Sequence, residues 1–502
     1  MSTQELLSEK TPSGEETAVR RVDVVIVGAG LSGVGAACHL SRYCQDKSFV
    51  ILEARPVSGG TWDLFRYPGV RSDSDMFTLG YRFRPWRGEK ALADGPSILS
   101  YIRETAAEHK VEDRICYHHR VTKASWSSKE ARWRVEAERP DGSTAIFSCS
   151  FLFANSGYYR YESGYTPEFP GIGEFTGQVV HPQHWPPDLD YEGKEVVVIG
   201  SGATAVTLVP AMAKLAARVT MLQRSPTYIA SLPATDPLAK KLRKRLPERV
   251  VYPLVRWKNV LGALVFFQLS RKKPEIVKRL IRRGLEASLP PGYDIDTHFK
   301  PDYEPWDQRM CFVPDGDLFA AIRAGTVEVV TDRIETFTTE GIRLESGREL
   351  LADIVVTATG LSLQMAGGME LDLDGEKVEL SKTVGYRGIM FSGVPNFAST
   401  MGYTNASWTL KADLAATYVC RLLNYMERHG YAVACAEPPD PSLPTQPWLD
   451  LTSGYVLRSL DSLPRQGQHA PWRLYHNYIL DLLMLRYGSV RDRALAFQRR
   501  HR

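Results

Sequence analysis

Two glycine-rich turns are the residues whose types and spacing point most directly to chemistry. The first, Gly28-Ala-Gly30-Leu-Ser32-Gly33, follows Asp23-Val-Val-Ile-Val; the second, Gly200-Ser201-Gly202-Ala203-Thr204-Ala205-Val206, follows Glu195-Val-Val-Val-Ile. Glycines there permit a tight turn and let a pyrophosphate approach a helix N-terminus, whose free N–H groups and dipole favour an anion. Glu53 stands twenty residues after Gly33 at the end of Phe49-Val-Ile-Leu52, where a carboxylate can bind a ribose diol. That acid favours FAD or NAD over NADP. In the second unit the strand Val219-Thr-Met-Leu222 ends in Gln223-Arg224-Ser225 where an acid would otherwise stand. A guanidinium there can hold a ribose 2′-phosphate through two charge-assisted bonds, so NADPH is expected.

The elements that must position these turns share one plan. Each is a buried parallel strand of continuous β-branched residues, then the turn, then a helix of small residues. One such pattern is a weak signal, but two copies about 170 residues apart are strong. Between them lie Trp126 and Trp133 on alternating strands and the strand-like Ser150-Phe-Leu-Phe-Ala154; after the second comes Asp353-Ile-Val-Val-Thr-Ala-Thr-Gly360. The expected fold class is α/β with two Rossmann-like, glutathione-reductase-like domains, the second inserted in the first. The expected divisions are a polar tail over 1–20, the first part of an FAD domain over 21–165, a linker over 166–192, an NADP domain over 193–350, and the rest of the FAD domain with C-terminal helices over 351–502. A proline-bounded helical insertion of about 233–291 is expected in the NADP domain, and an amphipathic helix from about Ser407 through Leu423.

The chain has 502 residues, 43% apolar and 24% charged, which places it among folded globular proteins of two to four domains. The net charge of +4 gives no argument for nucleic acid. Its distribution is uneven: Lys240 to Arg283 carries fifteen Lys or Arg against two acids, a local +13. That stretch is expected as a solvated face, with cofactor steering or peripheral membrane contact as alternatives. The most apolar run, Val260 to Leu269, is short of the roughly 20 residues that span a bilayer. The N-terminal residues lack the features of a signal peptide, and seven cysteines without C-x-x-C or zinc-like spacing suggest a reduced, cytoplasmic protein with no metal site. Cys38 and Cys44 are poorly spaced for a flavin-coupled dithiol. Electrons are therefore expected to go to oxygen or to a separate carrier.

Phe175-Thr-Gly177-Gln-Val-Val-His181-Pro-Gln-His-Trp185-Pro186 matches F-x-G-x-x-x-H-x-x-x-W-P, and Gly59-Gly60-Thr61-Trp62 through Tyr67-Pro68-Gly69 to Asp73 matches G-G-x-W-x-x-x-x-Y-P-G-x-x-x-D. On these motifs the chain resembles type I Baeyer–Villiger monooxygenases of the flavin monooxygenase superfamily. Arg66 to Asp75, His181 to Trp185 and Pro305-Trp-Asp-Gln-Arg309 look like the ethionamide-activating branch. The resemblance implies that NADPH reduces FAD, that a peroxyflavin forms with molecular oxygen, and that a small apolar ketone becomes an ester or lactone; thio-compounds and other sulfur or nitrogen centres are further candidates. It implies that Arg309 supplies a fixed positive charge and that Asp73 orients it. It places Ser32, Thr61, Trp62, Asp63, Leu64, Asp73 and Val121 around FAD, and Arg71, Ser72, Asp73, Gly200 to Val206, Arg224 and Ser225 around NADP. Many relatives carry Lys immediately before the arginine; here it is Gln308.

His181 is read as coupling the domains rather than as an acid or base, and Trp185 as a packing anchor. The substrate pocket is expected from loops near Arg309, the helical insertion and Met401 to Asn405. Two alternatives stay open: a heteroatom-oxidising flavin monooxygenase, and a flavin reductase serving a protein acceptor.

Overall fold

The computed structural model describes residues 7–10 and 16–499. Strand β1 (Glu16–Val27) runs into the first glycine turn and helix α1 (Leu31–Tyr43), and β2 (Phe49–Leu52) returns parallel to it. The Val and Ile side chains from Val22 to Val27 are buried on both faces of β1, which fits a strand covered from two sides. Its other neighbour is β3 (Thr144–Ala154), also parallel. The remaining strands give a sheet of ten, in which Trp126 and Trp133 face each other across an antiparallel pair with ring centroids 5.5 Å apart.

The second sheet has five parallel strands. Strand β4 (Glu195–Ile199) leads into helix α2 (Ala203–Met212) and lies beside β5 (Arg218–Gln223). Helix α3 (Glu248–Lys272) belongs to the segment that follows, with shorter helices at Pro237–Arg243 and Pro274–Ser288. Strands β6 (Val327–Thr331) and β7 (Ile354–Thr357) flank β5 and β4, and Gln178–Val180 closes the edge beside β7. The C-terminal part contributes helix α4 (Trp408–His429), which packs along α1 and ends at Gly430 in the left-handed region, φ 67°.

Three of the expected divisions are corrected. Residues 16–20 begin β1, and Leu7–Lys10 pairs antiparallel with that start, so these parts of the 1–20 tail are strand; residues 1–6 and 11–15 lie outside the described residues. Residues 166–192 are not solely a linker, because Gln178–Val180 is a strand of the second sheet. The chain does not rejoin the first sheet near 350: β7 pairs with β4 in the second, and the return comes at Glu370–Leu373 and Phe397–Ser399. A buried run such as Ile-Val-Val-Thr reads alike in either parallel sheet.

The basic segment is less charged in space than in sequence. Arg243 pairs with Glu248 at 3.0 Å, Arg271 with Asp307 at 2.6 Å, Lys278 with Glu304 and Arg282 with Asp296 both at 2.8 Å, and Lys258 with Asp236. Four of these acids, Asp236, Asp296, Glu304 and Asp307, lie outside the counted stretch. Arg256 is buried and donates to the carbonyls of Phe77 at 2.6 Å and Gly80 at 2.9 Å, tying α3 to the first domain. Helix α3 extends the apolar run of the sequence and is, by length and composition alone, long and apolar enough to cross a membrane. Val251, Tyr252, Val255 and Val260 instead pack it onto the protein.

Candidate active site

The two turns are built alike. Gly28 N–H donates to Leu52 O, and Gly200 N–H donates to Leu222 O, both at 2.8 Å. Glu53 and Gln223, one residue beyond each leucine, are therefore structural counterparts. Gly28 has φ 98°, and a Cβ there would sit 2.8 Å from Asn155 O; Gly200 has φ 134°, and a Cβ there would sit 2.4 Å from Ala358 O. Both positions exclude a side chain through backbone conformation and close approach together.

Both turns open on one cleft of about 970 Å³. Of the residues expected around FAD, Gly28, Gly30, Ser32, Glu53, Thr61, Trp62, Asp73 and Val121 line it. Of those expected around NADP, Arg71, Ser72, Asp73, Gly200, Ser201, Gly202, Ala203, Thr204, Val206, Arg224 and Ser225 line it. Four expected residues do not. Gly33 packs α1 against the turn, where a Cβ would lie 1.8 Å from Gly28 O. Asp63 is buried behind the wall, paired with Arg55, with Arg103 at 2.9 Å and with Arg66 at 3.4 Å. Leu64 is turned from the cleft, and Ala205 is buried in the second domain's core. A motif spacing that reports a helical turn cannot tell its outward from its inward side.

Glu53 is buried, and its Oε2 accepts from Ala29 N–H at 2.7 Å while Oε1 accepts from Arg55 N–H at 3.0 Å. Burial pushes its carboxyl above the usual range, with the two N–H donors opposing the shift. On the same side, Asn155 Oδ1 and Ser156 Oγ are buried on the cleft wall without hydrogen-bond partners among the described residues. Unpaired buried polar atoms beside a glycine cradle and a carboxylate suit the hydroxyls and phosphates of a dinucleotide. Gln223 instead turns inward, donating through Nε2 to His298 O and Thr331 Oγ1 at 2.8 Å, which leaves Arg224 to face the cleft.

Arg309 and Asp73 line the cleft with both turns and pair at 3.2–3.3 Å. The Asp73 carboxylate holds the guanidinium well above its ordinary pKa and so fully charged. Around them stand aromatic side chains that the sequence did not single out. Tyr158 stacks on Trp408, centroids 4.9 Å apart at 8°, its hydroxyl 2.8 Å from that of Tyr159, and Trp408 Nε1 donates to Ser32 Oγ at 2.7 Å. Tyr455 adds a wall from the C-terminal part, and Tyr403 of the expected 401–405 segment also lines the cleft. No residue of the helical insertion lines the cleft, which corrects that part of the expected substrate pocket. Arg256 and the buried face of α3 direct the insertion onto the outside of the first domain. Arg71 is partly committed, paired with Asp317 and donating to Val206 O at 3.4 Å. Cys311 faces the cleft, but burial pushes its thiol up to about 12, so it stays protonated.

His181 does not line the cleft. Its Nδ1 accepts from Gln183 N–H at 3.2 Å, leaving Nε2 to donate to Gly360 O at 3.3 Å, and burial lowers its pKa. A neutral imidazole so placed ties the strand Gln178–Val180 to the segment following β7. Trp185 meets Tyr191 edge to face and packs against the second domain's core.

Two glycine cradles facing one cleft, with a fixed cation between them, define a two-dinucleotide oxidoreductase. Residues 92–253 match the Flavin-binding monooxygenase-like family, and residues 26–85 match the NAD(P)-binding Rossmann-like domain. The chain is 55% identical over 480 residues to the FAD-containing monooxygenase EthA of Mycobacterium tuberculosis, covering 95% of this chain and 98% of that protein. It is 53% identical over 476 residues to EthA of Mycolicibacterium smegmatis, covering 95% and 96%. In fold it is similar to an oxidized steroid monooxygenase bound to NADP, with a TM-score of 0.75, 22% identity and 95% and 99% of the two chains covered. A cyclohexanone monooxygenase from Rhodococcus sp. Phi1 bound to NADP+ gives a TM-score of 0.73 at 18% identity, with 96% and 100% covered. The chain belongs to the family of FAD-containing monooxygenases.

Proposed function

We propose that the protein is an FAD- and NADPH-dependent Baeyer–Villiger monooxygenase that converts small apolar ketones to esters or lactones with molecular oxygen, and that it also oxidises sulfur or nitrogen centres. The observation that carries this reading is the Arg309–Asp73 pair on the wall shared by both cradles. FAD, when bound in the first cradle, supplies hydride acceptance from NADPH and the activation of oxygen.

The chain's own residues do the rest. Glu53, beneath the first turn, would bind the ribose hydroxyls of FAD, and Arg224 and Ser225 at the second would hold the 2′-phosphate of NADPH. Asp73 keeps Arg309 oriented and charged, so the guanidinium opposes negative charge wherever it develops on the reacting oxygen atoms. Arginine does not deprotonate in proteins and therefore acts here as a fixed charge, not as a proton donor that is consumed. The Tyr158–Trp408 stack and Tyr455 narrow the cleft and displace water from the reacting atoms, which strengthens every electrostatic contact inside it.

Arg309→Ala is expected to keep oxidising NADPH while releasing hydrogen peroxide instead of ester, measured by peroxide yield and product chromatography. Normal ester formation by that variant would remove the role given to Arg309. A thioether assayed beside a ketone separates this reading from a purely heteroatom-oxidising enzyme. NADPH consumption that requires an added acceptor protein, with no oxygenated product, would replace it with a flavin reductase.

A further inference from the structure

The second cradle holds a cation that no motif singles out. Strands β5 and β6 are parallel neighbours in register, Gln223 beside Thr331, and Asp332 N–H donates to Gln223 O at 3.0 Å. Their C-terminal extensions therefore run side by side, bringing Arg224 and Ser225 next to Asp332 and Arg333. Arg224, Ser225, Asp332 and Arg333 all line the cleft. Among the described residues, neither arginine has an ion-pair partner. This contrasts with Arg71, which also lines the cleft but is engaged by Asp317.

The local charge makes the second arginine necessary. Asp332 accepts from Arg333 N–H at 2.7 Å and Ser346 N–H at 3.4 Å, and its bonds from Ser346 and Arg333 hold its carboxyl below the usual range. Glu345 lines the same end of the cleft. Arg224 alone against two carboxylates would leave this end net negative and repel a phosphate dianion. Arg333 brings it to neutrality and supplies a second guanidinium. Position 308, where the family resemblance leads to an expectation of lysine, is an uncharged Gln308 that also lines the cleft.

We infer that Arg333 is a binding residue for the ribose 2′-phosphate of NADPH, acting with Arg224 and taking the place of the lysine absent at 308. This rests on the reading of the second cradle as the NADPH site. Arg333 is exposed, and among the described residues its hydrogen bonds run through its backbone, N–H to Asp332 and C=O from Glu345 N–H at 2.9 Å, so truncating its side chain leaves the turn intact.

The test uses the FAD-loaded protein and measures binding of adenosine 2′,5′-bisphosphate and of 5′-AMP by calorimetry, without turnover. Arg333→Ala is expected to weaken the bisphosphate about 5- to 10-fold, the worth of one charge-assisted contact at a partly exposed site, and to leave 5′-AMP unchanged. Arg333→Lys is expected to recover part of the loss. Equal weakening of both nucleotides would mean that the guanidinium lies on the adenine ring and would overturn the inference, as would no change in either. Arg224→Ala separates the two levels of the argument. If it weakens the bisphosphate and Arg333→Ala does not, only the present inference fails. If the parent protein does not prefer bisphosphate to 5′-AMP, the NADPH reading itself fails and takes this one with it.

Discussion

The two cradles repeat one strand, one turn and one helix, yet they differ in how they are closed. The first is walled by buried groups: Glu53 is held by two backbone N–H donors, and Asn155 and Ser156 present unpaired polar atoms to the cleft. Helix α4 reaches across from the other end of the chain to place Trp408 on Ser32. The second is closed by exposed charge, with Gln223 turned into the core and Arg224 outside it. At the second glycine of each turn, a Cβ at Gly30 would lie 3.4 Å from Gly60 Cα, whereas one at Gly202 would meet no atom within 4 Å. Buried, pre-positioned hydrogen-bonding groups suit a cofactor that stays; exposed cations around an open turn suit one that arrives, reacts and leaves. Such a division matches a resident FAD and a diffusing NADPH.

The largest expected effect contrasts the first glycine of one turn with the second glycine of the other. Gly28→Ala forces a Cβ to 2.8 Å from Asn155 O at φ 98°, so the first cradle should distort and the purified protein should lose its bound flavin, read from the absence of its visible absorbance. Gly202→Ala meets open space and should retain the flavin fully, with only the NADPH KM altered. Flavin loss in both variants would break the comparison, because it would mean that the second turn supports the first.

Next in size is Glu53→Ala. It removes a buried acceptor and leaves Ala29 N–H unpaired, so FAD affinity should fall on the order of 10- to 100-fold, equivalent to about 1.5–3 kcal/mol for hydrogen bonds to a charged group. Glu53→Gln keeps an acceptor while removing a carboxylate whose ionisation burial already opposes. Its NH2 group must then face one of the two backbone N–H donors that the carboxylate satisfies, so the apo form should melt below the parent while its FAD affinity also falls. A loss of NADPH preference in either variant, with FAD retained, would reverse the assignment of the two sites.

The turns, Glu53 and Arg224 were legible in the sequence because a strand, a tight turn and a helix N-terminus impose local spacing. Arg309 and Asp73 were legible only through the resemblance, since 236 positions separate them and neither carries a local signal. The Tyr158–Trp408 wall had no signal at all: its partners meet because α4 packs on α1, a tertiary contact that no window reports. The partial neutralisation of the basic segment was hidden for the same reason, most of the acids that pair with it lying elsewhere in the chain. The fate of Ile354–Thr357 was ambiguous because parallel strands of both sheets are apolar throughout.

The smallest effect expected of these is also the most selective. Arg224 is exposed to the cleft, so water and salt screen it and its contribution is modest. Arg224→Ala should lower kcat/KM for NADPH about 10-fold while leaving that for NADH within about 2-fold, since NADH lacks the phosphate that the guanidinium faces. The NADPH advantage of the parent should also shrink as salt rises, whereas that of the variant should respond less. An exposed, screened contact predicts this salt dependence; a buried one like Glu53 does not. If flavin retention in the parent proved as salt-sensitive as NADPH preference, the first cradle too would be held by exposed charge, and the contrast between a buried and an open nucleotide site would fail.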